Sequence, residues 1–123
     1  MKMPKSPETM AWYREFVAVW PQVECRPMFG QVAGFVRGQM TGGTFGDEVN
    51  MRLSEADRRE FVERYGAAGA RVFEPMEGRP MKEYVVVPEG VRADSEVLKG
   101  WMERSVRYAE SLPPKGAGVK KKR

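Results

Sequence analysis

Four consecutive β-forming residues, Tyr84-Val85-Val86-Val87, stand between Pro80 and Pro88. An unbroken apolar run of that length, stopped at both ends by proline, suits a strand covered on both faces better than an edge strand. A polar loop, Glu74-Pro-Met-Glu-Gly-Arg-Pro80, leads into it. The rest of the chain must therefore supply elements that pair with this strand and cover it.

Candidates occur on both sides in sequence. Ser6-Pro7-Glu8 is a helix start: a capping hydroxyl, a proline in the first turn and an acid at the positive end of the dipole. Met10, Tyr13, Phe16, Val17 and Trp20 recur every three or four residues, and Pro21 stops that helix. Arg26 to Gly30 reads as a short extended approach. Three strands follow, Val32 to Val36, Gln39 to Phe45 and Glu48 to Leu53, joined at Arg37-Gly38 and Gly46-Asp47. Such pairs supply the positive φ of two-residue hairpins. The third strand alternates, so Glu48, Asn50 and Arg52 form a wet face and Val49, Met51 and Leu53 a buried one. Ser54 with Asp57 caps a second helix with Phe61, Val62 and Tyr65 inside, and Gly66 ends it. A strand from Arg71 to Glu74 precedes the valine strand. A third helix starts at Asp94 or Ser95, turning Leu98, Trp101, Ser105, Ala109 and Leu112 inward until Pro113-Pro114. The expected fold is α+β, a two-layer antiparallel sheet of about five strands with three helices, in the order α-β-β-β-α-β-β-α.

With 123 residues the chain is one domain, 1–112, and residues 113–123 read as a disordered basic tail. Its net charge of +4 belongs to the ends. Residues 6–112 hold 14 Lys/Arg and all 17 Asp/Glu, whereas Lys2, Lys5, Lys115, Lys120, Lys121, Lys122 and Arg123 have no acids beside them. One cysteine leaves no internal disulfide and points to a reducing, cytoplasmic setting. No apolar run approaches a membrane span or a signal peptide, so no membrane contact is expected.

The residues allow little reaction chemistry. Histidine is absent, which removes the commonest general base and metal ligand. Cys25 has no histidine to activate it, although Arg26 adjoins it; the plain reading is a small buried residue. Asp47-Glu48 and Glu55 with Asp57 sit at a turn and a helix start, where solvation and capping account for them. Gly42-Gly43-Thr44-Phe45-Gly46 lacks the Gly-Lys-Ser/Thr of a phosphate loop and reads as bulges or close strand packing. No enzyme activity, cofactor or metal is expected. Arg26 and Arg79, each before a Pro-Met pair, have two readings. They tie loops down through carbonyls or Glu74, Glu77 and Glu83, or they mark a partner-binding surface with Phe29, Glu77 and Lys82.

Arg26-Pro-Met-Phe-Gly30, the X-Gly hairpin after it, and Gly78-Arg-Pro-Met81 running into Tyr84 and Pro88 resemble the TfoX (Sxy) N-terminal domain family over roughly residues 10–112. TfoX proteins are bacterial regulators of competence genes. The resemblance implies an α+β domain with an antiparallel sheet and no established catalytic residues. A full TfoX regulator continues into a second domain, whereas this chain ends in Lys120-Lys-Lys-Arg123, so it resembles the stand-alone form. The expected function is a non-enzymatic regulatory module acting through a protein partner, with a homodimer open. The alternative is weak, sequence-nonspecific nucleic-acid contact through Lys115, Lys120, Lys121, Lys122 and Arg123.

Overall fold

In the computed structural model, which describes residues 4–115, six antiparallel strands form one sheet with the helices on a single face. Helix α1 spans Pro7–Val17 and is followed by β1 (Glu24–Met28), β2 (Gln31–Val36), β3 (Gln39–Phe45) and β4 (Glu48–Arg52). Helix α2 (Glu55–Tyr65) and a 3₁₀ turn (Gly66–Ala68) lead to β5 (Arg71–Met76) and β6 (Arg79–Val86). A one-turn helix α3 (Glu89–Arg92) and the long α4 (Ser95–Ser111) complete the described chain. The spatial order is β1-β2-β3-β4-β6-β5, so the valine strand β6 is interior and pairs on both sides, as its composition requires.

Local sequence signals set most boundaries. Ser6, Ser54 and Asp94 accept backbone N–H bonds from Thr9, Asp57 and Val97, capping α1, α2 and α4. Helix α1 ends at Val17, three residues before Trp20. Gly66 opens the 3₁₀ turn in right-handed geometry, and Gly69, at φ +118°, makes the left-handed exit expected of Gly66. The structure has one strand and one helix more than expected. The additional strand is the Arg26 segment, which β2 draws into register from Glu24↔Phe35 to Met28↔Gln31. It holds Pro27 because an edge strand has a row of N–H groups that need no partner.

The core lies between the sheet and the helices. Tyr13 and Val17 of α1, Phe61 of α2, and Leu98, Trp101 and Val106 of α4 are buried with Val36, Met51, Leu53 and Val85. Phe61 and Trp101 meet edge-to-face at 5.0 Å. Truncating a ring so enclosed as Phe61 typically costs about 3–5 kcal/mol.

The second face of the sheet positions everything that follows. Register carries one row of residues across all six strands: Arg26, Ala33, Gly43, Asn50, Val86 and Arg71. The two ends of the row are charged and lie on the edge strands, while the four central residues are buried. The sheet curls about this row. Gly42 takes φ +139°, and a Cβ there would overlap the carbonyl oxygen of Asn50, so β3 and β4 approach more closely than a side chain would allow. A register shift beside it leaves Thr41 unpaired as a bulge, the role anticipated for this glycine cluster. Curling brings Phe45 of β3 against Phe73 of β5, rings 5.5 Å apart, although β4 and β6 lie between their strands. Asn50, placed by alternation on a wet face, is therefore only 3% exposed.

Candidate functional site

The curled face forms an apolar groove of 510 Å³, within the range of small-molecule sites. Ala33, Gly43 and Asn50 lie along its floor, with Met40, Phe45, Phe73 and Met81 as walls. Phe29 at the β1–β2 turn and Met76 at the β5–β6 turn stand on its rim, 82% and 63% exposed. Among the described residues, no charged side chain lines the groove. Three other depressions, between Trp12 and Arg92, beside Arg58 and Glu63, and between Arg64 and Arg104, are more open and carry charged residues in their lining.

Each rim turn has a physical cause. Phe29 and Gly30 both take positive φ, +53° and +80°, as do Arg37 and Gly38 in the next hairpin. That geometry is native to two-residue hairpins but costs a bulky residue about 1 kcal/mol or more. The β5–β6 turn is held by the Glu74 carboxylate, which accepts the Gly78 N–H at 2.6 Å.

Asn50 gives the floor its polarity. Its side-chain Oδ1 is buried and has no hydrogen-bond partner among the described residues. The other polar side chains bordering the groove are committed elsewhere. Thr44 donates to Gln31 Oε1 and accepts from Val32 N–H, and Gln31 also receives the Gly46 N–H and donates to the Pro4 carbonyl.

The sequence-nominated residues divide into groups. Arg26 lies on β1 at the end of the floor row, 4.5 Å over the Phe35 ring and 3.3 Å from Glu24, which takes the place of the acids anticipated as its partners. Phe29 is on the rim itself. Glu77, Arg79 and Lys82 belong to the β5–β6 hairpin behind Met76, and Arg79 and Lys82 have no ion pair among the described residues. Lys115 donates its backbone N–H to Arg37 at 2.8 Å, beside Gln39 bonding the Pro113 carbonyl. Lys120, Lys121, Lys122 and Arg123 lie outside the described residues. The groove walls and Asn50 were missed in the sequence. The available signal was the concentration of Met and Phe at strand positions on the face opposite the helices.

Groups elsewhere account for the remaining charge. Arg52 bonds Glu83 at 2.8 Å, and Tyr108 donates to the same carboxylate at 3.0 Å. Burial pushes Glu83 up, but these bonds outweigh it and hold the carboxyl below its ordinary value. Burial raises the Cys25 thiol, with Arg14 opposing, which disfavours the reactive thiolate. Among the described residues, no three His, Cys, Asp or Glu side chains are placed to hold a metal ion, and no helix is long and apolar enough to cross a membrane.

Fold and groove together define a small α+β domain with helices on one face of its sheet and an apolar recess on the other. The family model for the TfoX N-terminal domain matches residues 15–109, and the chain belongs to that family. No match was found among curated proteins.

Proposed function

We propose that this domain is a non-catalytic regulatory module that recognises a protein partner with the rim of its groove. The observation that carries the reading is Phe29: an aromatic ring held at positive φ yet left 82% exposed. It contributes backbone strain and little packing to the folded chain, so its value lies in contact with something else. Its neighbours favour protein over nucleic acid. Arg26 is paired with Glu24, and Arg79 and Lys82 share their hairpin with Glu74 and Glu77. Charges of both signs around apolar anchors are the anatomy of a protein interface, whereas phosphates select one sign.

Photo-crosslinking tests this. A benzophenone side chain replaces Phe29 or Arg79 in the full chain, with exposed Glu103 on α4 as the control position. In lysate of the source cells, positions 29 and 79 should give the same discrete protein adduct, resistant to nuclease and moderate salt. Position 103 should give none. Adducts that vanish with nuclease, or that form equally from position 103, overturn the reading.

A further inference from the structure

A buried acceptor at the centre of an antiparallel sheet calls for an explanation. Asn is depleted in strands, and leaving its oxygen unbonded costs about 1–3 kcal/mol. Folding does not account for Asn50: its row neighbours Gly43 and Val86 are apolar, and an apolar residue would continue the row. Water answers the need poorly, because a held water takes two to four polar partners. Around Asn50 the walls are thioethers and phenyl rings, while Gln31 and Thr44 are already bonded to one another and to backbone.

We propose that the groove is a binding site for a neutral, largely apolar small molecule with one hydrogen-bond donor, an O–H or N–H directed at Asn50 Oδ1. Neutrality follows from a lining that holds no charged side chain among the described residues, since an ion placed there would lose its hydration unpaired. The apolar body follows from Met40, Phe45, Phe73 and Met81, and the donor from the orphaned acceptor. Met40 and Met81 supply the adaptability, since unbranched thioethers change rotamer cheaply and let the donor reach an atom that is covered in the free chain. The site is independent of the protein-partner reading, because the purified chain alone decides it.

N-phenyl-1-naphthylamine is a suitable probe: neutral, aromatic, carrying a single N–H, and fluorescent on leaving water. Its N-methyl derivative has the same body without the donor. The full chain should bind the probe saturably at one site and the derivative about three- to tenfold more weakly, the worth of one net hydrogen bond. In Asn50→Leu the two affinities should converge. With methionine methyls labelled, the probe should shift Met40, Met76 and Met81 and spare Met51 and Met102, which are buried on the helix face. That readout uses the native chain and needs no variant to fold. Absence of saturable binding, equal affinity for both probes in the native chain, or shifts centred on Met51 and Met102 would each overturn the proposal.

Discussion

Asn50 and Tyr13 are two buried side chains whose oxygens lack a hydrogen bond among the described residues, and they lie on opposite faces of the sheet. The Tyr13 hydroxyl lies on the helix side beside Thr41 and Gly34; burial raises its pKa, and those two neighbours oppose the rise only in part. With no well-formed hydrogen bond to lose, Tyr13→Phe should leave stability unchanged or raise it by up to about 1 kcal/mol in urea unfolding. A loss larger than that would mean the hydroxyl is bonded after all. Asn50→Leu should likewise stabilise, by about 1–2 kcal/mol, while erasing donor selectivity in the groove, a trade expected where a residue is kept for binding. Strand alternation in the sequence assigns Asn50 to the correct face. Alternation cannot say whether that face is wet, because the groove that encloses Asn50 takes its walls from residues such as Phe73 and Met81, more than twenty residues away in sequence.

Among the elements, β6 was the most legible and β1 the least. The valine run announces an interior strand by composition alone, and the three helix caps are local hydrogen-bond chemistry that a four-residue window displays. Strand β1 exists because β2 offers an edge, which is a tertiary cause, and Pro27 hides it from any propensity argument. Beyond its ladder, β6 is fastened through Glu83, which joins Arg52 of β4 and Tyr108 of α4. The lowered native pKa fixes the sign of its pH dependence. The contribution is full above the unfolded-state carboxylate value, about 4.3, and is lost as pH falls through the lower native value. Glu83→Gln should therefore lower the urea midpoint at pH 7, and the difference from the native chain should shrink as the pH falls through the lowered native value. With Glu83 partly open to solvent, the pH 7 difference should be at most about 1 kcal/mol. A difference that grows on acidification would reverse the assignment.

At the scale of the whole molecule, the chain divides its labour between the two faces of one sheet. The helix face holds the enclosed core and supplies stability, and its stripes were readable from helical periodicity. The groove face retains an unbonded acceptor, a strained aromatic turn and an exposed methionine, features that local rules would remove and that binding would keep. If the faces are separable in this way, damage to the rim should spare the fold. Phe29→Asn provides the test, because Asn accepts positive φ more readily than Phe and the lost ring was barely buried. Stability should rise by about 0.5–1 kcal/mol through relief of strain, measured as the urea midpoint. The same variant, with benzophenone at Arg79, should form little of the partner adduct, while probe binding at the groove floor persists within about threefold, the loss of one rim contact. A destabilised Phe29→Asn would instead make the ring a structural part of the turn and remove the reason for assigning it to recognition.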